Sequence, residues 1–386
     1  MIRGIFPGTA NARGRTGRTG LSVKERRVRP PAGAEPTPVT LLTGFLGSGK
    51  TTLLNDLLGD PCMDGAAVVV NEFGSVAVDH DLILKGEPAT IISSEGCLCC
   101  TAAGDIRASL FELNEARARG EIPEFRRVIV ETTGLADPAP IINSLIPGGA
   151  PPDTTHHQIV AQSFRLAGVV TTIDAENGEA AINGHFECWK QLAFADHIVL
   201  TKTDIASADA WKSILYAANP AATIHDRNAQ GFDPVRLFQS RSYSPEGKPE
   251  DVLGWLAMER LSDPARHDHD HDPDRHGAAI AALPLVHDEP LDPRSIDLFL
   301  DILTSQHHAG LLRMKGIFAL ADDPSRPLVA HAVQQRLYPT LRLDGWPSDD
   351  MRSRLMIIGD NLPLEPIRDL FDSLRPRKRR RWFART

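Results

Sequence analysis

The chain has 386 residues, of which 24% are charged and 42% hydrophobic, and its net charge is −8. That length suits two domains of ordinary size, and no apolar run approaches the roughly 18 residues of a membrane span. Five cysteines are too few for a disulfide scaffold. Three of them crowd at Cys97, Cys99 and Cys100, which points to reduced thiols, metal chemistry and a cytoplasmic setting.

Residues 1–36 are basic and lack the apolar core of a secretory signal. Gly14-Arg-Thr-Gly-Arg-Thr-Gly20 reads as disordered, so this head receives no function; a targeting segment and a mistaken start both stay open. Order begins near Pro38. Val39-Thr-Leu-Leu42 is a strand pattern, Thr51 to Leu58 a helix, and Ala66-Ala-Val-Val-Val70 a buried strand. Ala89 to Ile92 is a further strand, and Ile106, Leu110 and Leu113 give a helix over 105–119. Arg127 to Val130, Leu166 to Ile173 and His197 to Leu200 complete the strand set. Strands alternating with helices predict an α/β domain over 37–231, with a mostly parallel sheet covered on both faces. Its chemistry then belongs at the carboxyl ends of the strands.

Residues 232–277 are polar and Pro-punctuated and read as a linker or long loop. From 278 to 374 the pattern resumes. Helices at 295–303 and 363–374 flank strands at 311–320, 328–333 and 354–358, which predicts a smaller α+β domain with an antiparallel sheet. The tail 375–386 is basic and reads as solvated. With both ends basic, the body is acidic, which argues against a nucleic-acid-binding core.

Gly44-Phe-Leu-Gly47-Ser48-Gly49-Lys50-Thr51 fits G-x-x-x-x-G-K-[ST] between a strand and a helix, so the α/β domain reads as a P-loop NTPase. Backbone N–H groups of the loop, with the helix N-terminus and Thr52 behind it, would cradle phosphates. Lys50 would reach the β- and γ-phosphates, and the Thr51 hydroxyl would hold Mg²⁺. Thr201-Lys202-Thr203-Asp204 resembles the [N/T]-K-x-D element that reads guanine: Asp204 would accept from the base edge and the Lys202 stem would lie over its plane. Glu131-Thr-Thr-Gly134-Leu-Ala-Asp137-Pro138 fits a γ-phosphate switch, with Gly134 bonding the phosphate and Glu131 orienting Mg²⁺ or the attacking water. Asp137 before Pro138 also fits a helix cap.

Gly96-Cys97-Leu98-Cys99-Cys100 supplies three thiolates, soft ligands for Zn²⁺ that need a fourth from elsewhere. Adjacent Cys99 and Cys100 seldom share one ion without strain, so two of the three can form the set. Buried free cysteines and a redox pair are the alternatives. Cys62 and Cys188 are isolated and read as inert. His267, His269 and His271 alternate with Asp268, Asp270 and Asp272, a tract suited to weak divalent-metal buffering or simply to a solvated linker. His156-His157 and His307-His308 read as incidental.

The order GFLGSGKTT, NEFG, GCLCC, ETTGLADP and TKTD resembles the CobW-type GTPases, relatives of the UreG and HypB nickel-insertion GTPases. Leu312-Arg-Met-Lys-Gly316, Trp346 and Ile357-Ile-Gly359 resemble that family's C-terminal domain. The resemblance covers about 37–374. It implies GTP hydrolysis coupled to handling of Zn²⁺ or Co²⁺ at the thiol cluster, with Glu72 of Asn71-Glu-Phe-Gly74 contacting Mg²⁺ or the bound metal. A client metalloprotein would be met through the C-terminal domain; a homodimer stays open. Relatives carry acids beside the Asn71–Gly74 segment where this chain has Val70 and Ser75, and the usual Asn of the base reader is Thr201. A GTP-gated metal sensor or buffer, and an assembly factor for another metallocofactor such as a corrinoid, are the competing readings.

Overall fold

The computed structural model describes residues 35–70, 90–93, 98–146, 154–239, 280–306 and 310–374, with backbone alone for 90–93, 98–105, 239 and 306. Seven strands form a parallel sheet: β1 (Thr37–Gly44), β2 (Ala66–Val70), β3 (Thr90–Ser93), β4 (Arg127–Glu131), β5 (Phe164–Asp174), β6 (His197–Thr201) and β7 (Thr223–Asp226). Their spatial order is β3-β2-β4-β1-β5-β6-β7, and every pairing is parallel. Every residue of β2 and of β5 is buried. That is why these strands read as continuous Val/Ile/Leu runs rather than alternating ones.

Between the strands lie α1 (Lys50–Leu58), α2 (Leu98–Ala118), α3 (Pro138–Leu145), α4 (Thr155–Ser163), α5 (Gly178–Gly184), α6 (Phe186–Phe194), α7 (Asp209–Ala218) and α8 (Pro234–Gln239). The period-2 pleat sends alternate residues to opposite faces. Leu42, Val68, Val70 and Ile129 pack with Leu53, Leu54 and Leu57 of α1 and with Val235, Leu237 and Phe238 of α8. Val39, Leu41, Val69 and Val128 share the other core with Ile106, Leu110 and Leu113 of α2 and with Ile141 and Ile142 of α3. Several boundaries differ from the sequence expectation, two of them by a turn or more. Helix α2 starts at Leu98 rather than Asp105, since its first turns have helix-compatible residues but no periodic apolar stripe. Helix α8 lies inside the stretch expected as linker, held to the first core by its three apolar side chains.

The second sheet contains β8 (Ile280–His287), β9 (Leu311–Phe318), β10 (Leu328–Val333), β11 (Arg336–Leu337), β12 (Leu341–Arg342) and β13 (Ser353–Asp360). All its pairings are antiparallel, in the order β11-β10-β9-β13-β8 with β12 on β10. Helices α9 (Pro293–Gln306) and α10 (Leu364–Asp372) cover one face through Ile296, Phe299, Leu303, Ile367 and Phe371. The other face contributes Ile317, Val333, Met356 and Ile358 to the core that also holds α2 and α3. The two sheets are therefore joined by apolar packing.

An ionic cluster is buried in that junction. Asp196, just after α6, accepts from Arg313 at 2.5 Å and from Lys315 at 2.7 Å, both on β9. Arg313 also donates to the Phe194 and Ala195 carbonyls at the end of α6. Burial works to raise the Asp196 pKa, but Arg313 and Lys315 overcome it and hold the carboxyl far below its usual range. One carboxylate faces two cations, so burial and the neighbouring Arg313 push Lys315 down to about 7.

Candidate functional site

The glycine loop after β1 closes on the start of α1. Gly44 takes φ 140°, and a Cβ there would lie 2.4 Å from the Thr172 carbonyl, so no other residue fits. Lys50 folds back across the loop and donates from Nζ to the Gly44 and Phe45 carbonyls at 2.9 and 3.1 Å. Its ammonium thus lies against the backbone that would cradle phosphate. Gly47 and Gly49 take φ 72° and 89°, and no side chain caps α1. The amides of the first turn can then serve an anion, helped by the helix dipole. Ser48 shares a 2.6 Å hydrogen bond with Thr172 of β5, and Thr52 is exposed one residue beyond Thr51.

Thr51 and Glu131 meet where β4 ends beside α1. The Thr51 hydroxyl donates to Glu131 Oε1 at 2.9 Å, and Glu131 is buried. A hydroxyl and a carboxylate converging at a phosphate loop are hard oxygen donors, a set that fits Mg²⁺. Beyond Glu131, Thr132 bonds back to Thr43 and Leu42 of β1. Gly134 abuts the loop so closely that a Cβ would lie 2.5 Å from the Leu46 nitrogen. Asp137 caps α3 through the Ala139 amide at 2.9 Å, with Pro138 at the first helical position. Its second oxygen accepts from Lys190 at 2.7 Å.

The Thr201–Asp204 segment leaves β6 with Lys202 in the left-handed region, φ 57°. Thr201 does not face outward: its hydroxyl donates to the Ser48 and Ile173 carbonyls and ties this segment to the phosphate loop. Lys202 Nζ lies 2.5 Å from Asp174 Oδ2. Burial acts to raise the Asp174 pKa, but the bonds from Lys202, the Glu176 amide and Asn177 outweigh it and hold the carboxyl below its ordinary value. Asp204 is exposed and accepts from Asn228 at 3.1 Å, while Thr203 bonds Asp226. Asp174 and Asn228 escaped sequence reasoning. Their only signal is position, at the ends of β5 and β7 on the same edge of the sheet. A cavity of about 290 Å³ opens beside the loop, lined by Phe45, Ser48, Asp174, His185, Cys188 and Gln191. Burial pushes the Cys188 thiol up to about 12, so it stays protonated and inert.

Residues 38–226 match the family model for the CobW/HypB/UreG nucleotide-binding domain, and residues 280–375 match the cobalamin synthesis protein cobW C-terminal domain. The zinc chaperone YjiA of Escherichia coli is 32% identical over 343 residues, covering 88% of this chain and 99% of that one. The chain belongs to the CobW family. The zinc chaperone CobW of a Sinorhizobium species is 28% identical over 361 residues, covering 83% and 92%. A crystal structure of Zn(II)-bound YjiA GTPase from E. coli superposes with a TM-score of 0.68 at 26% identity, over 89% of this chain and all of that one.

The CobW fold brings Lys50, Thr51, Glu131, Gly134, Thr201 and Lys202 to one edge. The metal candidates are less fully described. Glu72, Cys97, His267, His269 and His271 lie outside the described residues, and Cys99 and Cys100 are described as backbone only, in the first turn of α2. Register still orders their neighbourhood: Val70 pairs with Glu131 on one side and with Ser93 on the other. The chain therefore leaves β2 just before Glu72, and β3 just before the cysteines, on the edge where β4 delivers Glu131. At the usual strand spacing Ser93 stands roughly 10 Å from Glu131. Among the described residues no group of three or more His, Cys, Asp or Glu is placed to hold a metal. None of their helices is long and apolar enough to cross a membrane. His156 stacks on Phe111, and His157 bonds Arg107, which ties α4 to α2.

Proposed function

We propose that this CobW-family chain is a GTPase that binds zinc at Cys97, Cys99 and Cys100 in a nucleotide-dependent way and passes it to a client protein. Water attacks the γ-phosphorus of GTP, the bond to the bridging oxygen breaks, and GDP and phosphate leave. Lys50 and the Gly134 amide offset charge on the transferred group. Thr51 and Glu131 would hold Mg²⁺, which neutralises phosphate charge when bound. Asp204 reads guanine, Lys202 covers its plane, and Asp174 holds that lysine in place.

The observation that carries the reading is the shared strand edge. The segments holding Glu72, the thiols and the γ-phosphate switch leave three adjacent strands. A γ-phosphate that draws in Gly134 then changes the surroundings of the thiol segment, and linkage requires metal to change nucleotide affinity in return. The relatives YjiA and CobW are zinc chaperones, which favours zinc, and thiolates suit it; Co²⁺ is the alternative cargo. The second sheet, joined to the first by a buried interface, is the candidate client adaptor.

Stoichiometry tests delivery against storage. In competition with a chelating dye, the wild type should bind one Zn²⁺ tightly, and Cys97→Ser/Cys100→Ser should lose it. Several weak sites that vanish on deletion of residues 266–277 would instead identify a buffer and overturn the delivery reading.

A further inference from the structure

We infer that Gln191, on α6, is a positioning residue for GTP hydrolysis that holds the Gly134–Asp137 loop in register with the phosphate loop. Gln191 is 1% exposed, and its Nε2 donates to both the Gly134 and the Ala136 carbonyls at 3.1 Å. A side-chain amide has two N–H donors, and both are used on this one loop. Neighbouring Lys190 takes the far end of the same loop through Asp137 at 2.7 Å. The backbone carbonyl of Gln191 accepts from the Thr171 hydroxyl at 2.8 Å. The next residue on β5, Thr172, makes the 2.6 Å bond to Ser48. Switch loop and phosphate loop are thus indexed to consecutive residues of one strand. Helix α6 is itself a fixed platform, because Arg313 bonds the carbonyls at its C-terminal end, about one turn beyond Gln191.

The inference rests on the reading that Gly134 faces the γ-phosphate. A displacement of the loop by even 1 Å would spoil an interaction needed most in the transition state. Gln191 acts through the loop, by fixing its Gly134–Leu135 and Ala136–Asp137 peptides. Losing it should therefore lower kcat and leave ground-state binding of GDP nearly intact.

The test compares Gln191→Met, which keeps the volume and removes both donors, with Gln191→Glu. Gln191→Met should lose at least about tenfold in kcat for GTP, with KM and GDP affinity within about threefold of wild type. Gln191→Glu carries its own signature. Its carboxyl, buried against two carbonyls, donates only when protonated, so its kcat relative to wild type should climb as pH falls from 8 to 6. Wild-type kcat in Gln191→Met would overturn the inference. So would parallel losses of kcat and GDP affinity in both variants with no pH signature, because those mark a general packing role. Hydrogen exchange of the Gly134 amide in wild type tests the underlying reading separately. Equal exchange with GDP and with a non-hydrolysable GTP analogue would sink the γ-phosphate reading. Slower exchange with the analogue while Gln191→Met keeps full kcat would overturn only the positioning role.

Discussion

Lys50→Ala should lower kcat/KM for GTP hydrolysis by about 10²–10³-fold, measured as phosphate release in excess Mg²⁺. The ammonium already lies on the Gly44 and Phe45 carbonyls, at 2.9 and 3.1 Å, so it is oriented before substrate arrives. A charge fixed in a largely buried position needs no reorganisation as negative charge shifts during phosphoryl transfer. Lys50 is only 9% exposed and its loop is braced by Ser48–Thr172 and Thr201–Ser48. The variant should therefore fold normally and keep its unfolding midpoint within a few degrees. Hydrolysis at the wild-type rate would remove the phosphate loop from the account.

Asp196→Ala should destabilise the protein by about 3–5 kcal/mol in urea unfolding, the range for removing one partner of a buried ion pair. Arg313 and Lys315 are each only 3% exposed and would lose their carboxylate inside the junction between the two sheets. The Val169 amide, which bonds Asp196 at 2.9 Å, would lose its acceptor too. The pH dependence has a definite sign. The folded-state pKa of Asp196 is depressed, so its contribution is fully present above the unfolded value near 3.9 and is lost as pH falls through the folded value. Wild-type stability should then fall more steeply in acid than that of the variant. Replacing all three residues by apolar ones of similar volume should recover much of the loss, because desolvation offsets most of the net worth of such a cluster.

The phosphate loop was legible because its information is local. Eight consecutive residues carry the glycines, the lysine and the threonine, and flanking apolar runs announce the strand and helix around them. The continuous apolar run of Ala66 to Val70 likewise announced a strand covered on both faces, and Val68 and Val70 pack into one core while Ala67 and Val69 pack into the other. The braces were not legible. Lys202 meets Asp174 from 28 positions away, Gln191 meets Gly134 from 57, and Lys315 meets Asp196 from 119. No local pattern encodes a partner at such separations. Thr201 shows a different limit. As a substitute for the usual Asn it read as a weakened base reader, whereas its hydroxyl braces the Ser48 carbonyl. Helix α8 was missed because six residues are too few to display a period, and its apolar side chains sat in a stretch dominated by Pro and charge.

In the proposed switch, nucleotide state controls metal affinity. Its most direct test is the Zn²⁺ dissociation constant of the full chain, by dye competition in Mg²⁺, with GDP and then with a non-hydrolysable GTP analogue. Coupling between sites is typically about 1–3 kcal/mol, so zinc should bind roughly 5–150-fold more tightly with the analogue. That difference should disappear in Cys97→Ser/Cys100→Ser. Equal zinc affinity in both nucleotide states of the wild type would contradict the switch.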